Sequence, residues 1–519
     1  MKLRALGGLR PSRAEALAAF GSAALFALAF PPFPLVLPAF LCLVPFAVSI
    51  ARFAGAADGR PACAARVGLW FGFLGYGCNL YWIAIALSFY TKLAFLGYIA
   101  SLIWLSPYVA ATGAALFAAR RATRWPMAVL LPVVWTASEV VLNYLLDLAF
   151  PWLPLGLSMA HFPVAAQLAE LSGVRTVSFW IAATAGLIAD AYLMRGDRGA
   201  VLRRAAAVFG LTTVALGFGA WRMRTLPLAR LASVSVVQPN ISREEKWQEE
   251  NADRIPGMLA ATSRDLLRRD DQQLLVWPEV ALPGYIANHP EWRDTVRALA
   301  QLEHTPLLFG VLDVDFRAQD DYDYYNAAML ADPSGEITQR PYRKQFLVPI
   351  TERVPFVNPR WFGKLRYFGG FARGTGSTPF QAPFGRFGVL ICYESIFPQL
   401  SRRFRKQGAQ MLVNITNDSW FGNTTAPYQH HAHLVLRAIE NRLPVVRGAI
   451  TGISGYIDPL GRTRASTGLF VPATGTYDVE TSPVTTLYVR AGDWLGMTCL
   501  AATAALVVAY VRRRRSGRG

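Results

Sequence analysis

Arg386-Phe-Gly-Val-Leu-Ile-Cys-Tyr-Glu394 carries an apolar strand, Gly388 to Ile391, straight into Cys392, with Tyr393 and Glu394 following at once. A thiol at a strand's end, on the turn before the next element, is held rigidly, and backbone N–H groups beside it face any negative charge that develops. The alternative is a small buried hydrophobe, cysteine's commonest role in soluble domains. Cys392 is the one cysteine in the polar stretch from about Leu231 to Val489. Loop charges, described below, put that stretch outside the cytoplasm. Exported domains normally pair their cysteines as disulfides, and a free thiol there is open to oxidation, so a chemical role is favoured.

Outward from Cys392, the strand-like runs Ala232-Ser-Val-Ser-Val-Val237, Gln273-Leu-Leu-Val-Trp277, Pro306-Leu-Leu-Phe-Gly-Val311 and Met411-Leu-Val-Asn-Ile415 alternate with polar stretches of helical period. Ala252 to Arg268 and His433 to Asn441 are the clearest of the latter. Strand, helix, strand order predicts an α/β domain over residues 229–489, large enough to bury its own core. No internal repeat, low-complexity linker or Gly-x-Gly-x-x-Gly signature interrupts it.

The rest of the chain has a different solvent. With 519 residues and 53% hydrophobic content at a mean hydropathy of +0.27, the protein is too long for one domain and too apolar for an ordinary soluble enzyme. Apolar runs of spanning length occur at about Ala16 to Phe30, Leu35 to Ile50, Val67 to Leu87, Leu93 to Ala119, Pro126 to Leu145, Val174 to Met194 and Ala205 to Trp221. Arginines crowd alternate connections: Arg10 and Arg13 before the first run, Arg52, Arg60 and Arg66 after the second, Arg120, Arg121 and Arg124 after the fourth, Arg195, Arg198, Arg203 and Arg204 after the sixth. This alternation follows the positive-inside rule. It predicts a membrane domain of seven transmembrane helices over residues 1–228 and an eighth helix in 490–519, running from Trp494 to Tyr510 and ending at Arg512-Arg-Arg-Arg515. Both termini are then cytoplasmic and the polar domain lies outside. The formal net charge of +18 is a topology signal with some attraction to anionic lipid, not a nucleic-acid surface.

Three constellations stand at strand ends. Val276-Trp-Pro-Glu279 puts a carboxylate just past an apolar strand, where apolar neighbours make it a stronger base; alone, an ordinary helix-start glutamate explains it equally well. Tyr342-Arg-Lys-Gln-Phe-Leu-Val-Pro349 offers Lys344 as an oxyanion partner, although solvated surface lysines are far commoner. Cys392 is the third. His430, His431 and His433 have metal-like spacing, but no cysteine or carboxylate completes a ligand set, so neither metal nor cofactor is expected. Glu139 falls inside a predicted span, where an ionisable group is costly.

The order Glu279, Lys344, Cys392 resembles the glutamate, lysine, cysteine triad of the nitrilase, or carbon-nitrogen hydrolase, superfamily. Further words sharpen the likeness: Gln238-Pro-Asn-Ile-Ser-Arg-Glu-Glu-Lys-Trp247, Trp277-Pro-Glu279, Lys344-Gln-Phe-Leu-Val-Pro349, Cys392-Tyr-Glu394 and Asn417-Asp-Ser-Trp-Phe-Gly422. Together they are similar to the apolipoprotein N-acyltransferase family, the membrane-embedded branch of that superfamily, over essentially the whole chain. The resemblance implies an α-β-β-α sandwich beside the helical membrane domain. It implies Glu279 as general base, Lys344 as oxyanion stabiliser and Cys392 as nucleophile, with Glu352 in support and Trp247, Tyr393, Glu394 and Trp420 around them. One departure stands out: Ile350-Thr351-Glu352 replaces the family's frequent Phe-Gly-Glu, keeping the acid and losing the glycine.

The same resemblance implies a phospholipid acyl donor, a thioester on Cys392 and a diacylated apolipoprotein acceptor in a bacterial inner membrane, with the enzyme acting as a monomer. Water must then be kept from the thioester. The apolar loop Phe150 to Ala160, with Trp361-Phe362 and Tyr367 to Phe371, is an expected lipid entrance; plain packing is its alternative. Two rivals use the same sequence differently. A membrane-anchored nitrilase-type amidase would pass the acyl group to water, and a non-catalytic lipid sensor or scaffold would tolerate loss of the thiol.

Overall fold

The computed structural model describes residues 9–268, 272–318, 321–338, 340–356 and 370–516. Two compact units divide the chain, Met1–Arg224 with Asp493–Gly519 and Thr225–Gly492.

In the first unit, six helices among the described residues are long and apolar enough to cross a membrane: Leu37–Gly55, Ala94–Thr123, Met127–Tyr144, Val174–Leu193, Arg198–Thr225 and Trp494–Arg515. Pro61–Leu80 and Trp82–Ser88, bent by 55°, make a seventh if counted as one span. The expected eight are thus not all present as full-length helices. The first expected run forms Arg13–Leu28, only 16 residues, or about 24 Å of helix against a hydrocarbon core of about 30 Å. Ser12 and Glu15 start it with a reciprocal capping box. The prolines from Pro31 stop it, because proline lacks an N–H and disfavours helical backbone in the residue before it. Arg198–Thr225 leaves Leu202, Phe209, Val214 and Trp221 uncovered within the protein, as suits a helix solvated by hydrocarbon.

The loop expected to dip into lipid is packed instead. Trp152, Leu155, Leu157 and Met159 are buried. Trp152 lies against Trp82 at 4.6 Å between ring centroids and stacks on Phe150 at 5.9 Å. Glu139 explains its own presence in a helix: its Oε1 accepts from Leu155 N at 2.7 Å and from Trp135 Nε1 at 3.0 Å, tying the loop to Met127–Tyr144. Gly156 N donates to Ser178 Oγ at 2.8 Å, tying it also to Val174–Leu193. Trp361, Phe362 and Tyr367 lie outside the described residues. Trp152→Ala is expected to lower stability by about 3 kcal/mol through the cavity it leaves, read as a fall in melting temperature in detergent; a change confined to lipid acylation would restore the entrance role.

The second unit is a sandwich of two six-stranded sheets. The first contains β1 (Ala229–Gln238), β2 (Leu274–Val276), β3 (Leu307–Ala318), β4 (Asp321–Ala331) and β5 (Tyr342–Arg343). The second contains β6 (Phe380–Ala382), β7 (Gly385–Ile391), β8 (Met411–Thr416), β9 (Val445–Ala449), β10 (Gly455–Ile457) and β11 (Thr463–Ser466), while β12 (Ala473–Thr481) returns to the first. Their orders are β12-β1-β2-β3-β4-β5 and β11-β10-β9-β8-β7-β6. Strands β1–β2–β3 and β7–β8–β9 are parallel, which is why they read as near-continuous apolar runs. The sheets face each other where a Cβ on Gly448 would meet Val276 and Val236.

Helices cover both outer faces. Arg254–Leu267 and Pro290–Leu302 place Ile255, Leu259, Leu266, Trp292, Val296 and Leu299 at helical spacing against Leu275, Trp277 and Phe309 of the first sheet. The two tryptophans keep their N–H groups satisfied, Trp277 on Ser263 Oγ at 2.9 Å and Trp292 on Asp253 Oδ1 at 3.0 Å. Burial of each large side chain is worth about 2 to 3 kcal/mol. Trp277 thereby anchors the chain two residues before Glu279. Pro398–Lys406 and Ala426–Asn441 cover the second sheet.

Candidate active site

Glu279 follows β2 by way of Trp277 and Pro278, on a turn where Val280 has φ +46°. The turn lies so close to β3 that a Cβ on Gly310 would sit 2.7 Å from Glu279 Cα. That leaves room only for glycine. The carboxylate is buried but not in the apolar surroundings its neighbours in sequence imply. Oε1 accepts from Asn326 Nδ2 at 2.7 Å and faces Lys344 Nζ at 3.4 Å. Oε2 accepts from the backbone N–H of Asn417 at 2.7 Å.

Lys344, one residue past β5, is 1% exposed. Its ammonium lies 2.8 Å from Glu352 Oε1 as well as 3.4 Å from Glu279. Burial disfavours that charge, yet Glu352 and Glu279 outweigh it and hold the lysine's pKa above its ordinary value. Glu352 is fixed in turn by Val348 N at 2.8 Å on its other oxygen. Thr351 stands where the family often has glycine, and the turn bends one residue earlier, at Ile350, whose φ is +72°. A β-branched residue there carries local strain.

Cys392 follows β7 in the left-handed region, φ +50°, so the chain turns sharply there and starts the short helix Cys392–Ile396. Burial pushes its thiol above the ordinary value, Glu279 adds to that, and Lys344 opposes it. Glu279 and Lys344, from strands of one sheet, thus act on a thiol carried by the other. The thiol is protonated at neutral pH and needs a base to become a nucleophile.

Glu394 is fully buried and braces this turn. Its Oε2 accepts from Ile391 N at 2.8 Å and Tyr342 OH at 2.8 Å, and its Oε1 from Gln345 N at 2.6 Å. It therefore joins the residue before Cys392 to the residues on either side of Arg343 and Lys344. Burial raises its pKa to about 7, against the pull of those donors and of Lys344. The folded protein holds this proton between about pH 4.5 and 7, where the unfolded chain has released it. The contribution is complete below pH 4.5 and lost as the pH rises to about 7. Wild type is expected to lose up to roughly 3 kcal/mol of stability relative to Glu394→Gln across that window, measured as the difference in thermal melting; a constant difference removes the assignment.

Tyr393 is buried with its ring edge on Phe397 at 5.2 Å, near enough to Lys344 and Glu352 to feel their charges. Trp420 is half-buried in the short helix Asp418–Phe421, which begins beside Asn417. Trp247 is different: it is 46% exposed, and its ring meets Lys246 Nζ at 5.6 Å.

Two groups of residues escape sequence reasoning. Lys246 is buried, donates to the Glu279 carbonyl at 3.3 Å and has its pKa lowered to about 7 by burial, with Glu279 pulling the other way. Asp418, His430 and Arg447 form a buried cluster beside Cys392. His430 Nε2 lies 3.0 Å from the Cys392 carbonyl oxygen and Nδ1 lies 3.0 Å from Asp418 Oδ1. Arg447 Nη2 pairs with Asp418 Oδ2 at 2.5 Å. Burial alone would raise the Asp418 pKa, but Arg447 and His430 hold it well below the usual carboxylate range. The histidine triplet, and Asp418 within the Asn417-Asp-Ser-Trp-Phe-Gly422 word, were the visible signs of this cluster. No group of three or more potential metal ligands occurs among the described residues.

Comparison with known proteins agrees with this architecture. The carbon-nitrogen hydrolase family model matches residues 233–486, so the sandwich is a nitrilase-like fold, and the apolipoprotein N-acyltransferase N-terminal domain model matches residues 22–187. The apolipoprotein N-acyltransferase of Geobacter metallireducens is 32% identical over 97% of this chain and 96% of its own. That of Brucella melitensis is 30% identical over 96% of this chain and 97% of its own. The crystal structure of Saccharomyces cerevisiae Nit3, of the nitrilase superfamily, aligns over 51% of this chain and 93% of its own at 19% identity and a TM-score of 0.39. With near-complete coverage at this identity, the chain belongs to the apolipoprotein N-acyltransferase family.

Proposed function

We propose that this enzyme moves a fatty acyl chain from a phospholipid, through a thioester on Cys392, to the α-amino group of the diacylglyceryl-modified amino-terminal cysteine of an apolipoprotein. The observation that carries it is the convergence of Glu279, Lys344 and Cys392 from three strand ends, with Lys344 between two carboxylates and its charge acting on the thiol. Glu279 takes the thiol proton and the thiolate attacks the ester carbonyl. Lys344 and nearby backbone N–H groups bear the oxyanion. The intermediate collapses to a thioester, and the lysophospholipid leaves with the proton from Glu279. In the second half the lipoprotein amine attacks the thioester, Glu279 accepts its proton, the amide forms and the thiol is restored.

The assignment of residues 229–489 to a periplasmic catalytic domain, with both termini in the cytoplasm of an inner-membrane protein, belongs to this proposal. So does a membrane domain of eight spans, counting Arg13–Leu28 and the bent pair with the six long helices. Loop arginines support the orientation. A monomeric enzyme is part of the same proposal. Incubating enzyme with phospholipid and no acceptor is expected to add one acyl mass to Cys392, and a diacylated lipopeptide should then remove it as the amide. Free fatty acid as the sole product would make the protein an amidase-like hydrolase. The same adduct on Cys392→Ser would remove Cys392 from the mechanism.

A further inference from the structure

At one end of the helical unit, three separate basic segments meet around a cavity of about 1040 Å³. Arg60 comes from the connection after Leu37–Gly55, Arg120, Arg121 and Arg124 from the end of Ala94–Thr123, and Arg513 and Arg514 from the last turn of Trp494–Arg515. No aspartate or glutamate lines it. Six guanidinium groups gathered without a carboxylate repel one another, and a bound anion would relieve that repulsion.

The walls are held by some of these arginines and leave others available. Arg120 donates to the Arg124 carbonyl at 2.6 Å, Arg121 to the Ala57 carbonyl at 3.4 Å, and Arg513 to the Ala122 carbonyl. These bonds tie all three segments together, with Arg124 itself turned into the left-handed region at φ +61°. The guanidinium groups of Arg60, Arg124 and Arg514 have no hydrogen-bond or ion-pair partner among the described residues. Two aromatic residues complete the lining, Trp125 and Tyr510; such rings favour the level where acyl chains give way to head groups.

We propose that this cavity binds the phosphate of an anionic phospholipid head group, at a site separate from the one where acyl transfer takes place. Guanidinium forks match phosphate oxygens two at a time, and basic pockets between membrane helices suit anionic head groups. Aromatic rings beside the arginines favour a lipid over a free ion, because a free ion has no acyl region to place against them.

The test uses the full-length protein carrying Cys392→Ala, so that no lipid is consumed, titrated in neutral detergent with phosphatidylglycerol or phosphatidylcholine and followed by native mass spectrometry. Phosphatidylglycerol is expected to bind at least 10-fold more tightly than phosphatidylcholine. Arg60→Gln, Arg124→Gln and Arg514→Gln combined should weaken it about 100-fold, at roughly a factor of five per basic group. The matched charge loss Arg198→Gln, Arg203→Gln and Arg204→Gln should change it less than 3-fold. Equal binding of the two lipids overturns the proposal, and so does an equal loss in the matched variant. Lysine at positions 60, 124 and 514 should restore most binding, which separates loss of the site from misfolding. Displacement of phosphatidylglycerol by millimolar inorganic phosphate would overturn the lipid as ligand and make free phosphate the occupant.

Discussion

Glu279→Gln is expected to slow formation of the Cys392 thioester by about two to four orders of magnitude, the range that removal of a general base costs. The substitution keeps size and shape. Its carbonyl oxygen can still accept from Asn417 N, which lies 2.7 Å from the present carboxylate. Its amide nitrogen then faces Asn326 Nδ2 and Lys344 Nζ, donor against donor, where Oε1 now accepts from both. Lys344 retains Glu352 at 2.8 Å, so its charge survives while the proton acceptor does not. Burial holds Cys392 in its thiol form, and with no base the nucleophile is scarce. Acyl adduct is measured against time by intact-protein mass spectrometry without acceptor. A wild-type rate would eliminate Glu279 as the base, and an unchanged melting temperature would exclude collapse of the site as the cause of a slow one.

Arg447→Leu is expected to cost about 3 to 5 kcal/mol of stability, because it leaves the Asp418 carboxylate buried without its main counter-charge. Asp418→Asn in the same chain should recover most of that loss, since the charge is then gone from both sides. The cluster also touches Cys392, the proposed nucleophile, through His430 and the Cys392 carbonyl. The single variant should therefore lower the rate of acylation in molecules that remain folded, with substrate KM little changed. Melting curves and single-turnover acylation of Arg447→Leu, Asp418→Asn and the double variant make the comparison. Additive losses would mean that the pair is not energetically coupled.

Much of the architecture was legible in the chain. Apolar strands with helical stretches between them identified the α/β unit, since parallel strands covered on both sides need continuous apolar sequence. Full-length spans were less legible: hydropathy locates apolar runs, whereas proline chemistry ended Arg13–Leu28 early, and the run from Val67 to Leu87 is broken by a 55° bend after Leu80. The loop Phe150 to Ala160 shows the same limit from the other side. Its composition suits lipid and core equally, and the hydrogen bonds that Leu155 N and Gly156 N donate to Glu139 and Ser178 are what fix it as core.

By itself the sequence determined which chemistry was available: a thiol at a strand end, a carboxylate and a lysine at two others, and family words around each. Local patterns carry that information because a strand's end is set by its own residues. Only the tertiary structure decided what surrounds each group, since those partners are far apart in the chain. Asn417 reaches Glu279 across 138 residues, Glu394 reaches Gln345 across 49, and His430 reaches Cys392 across 38. Such contacts leave no period or spacing in the sequence. They arise when two sheets pack face to face and close the space where charge can be buried and paired.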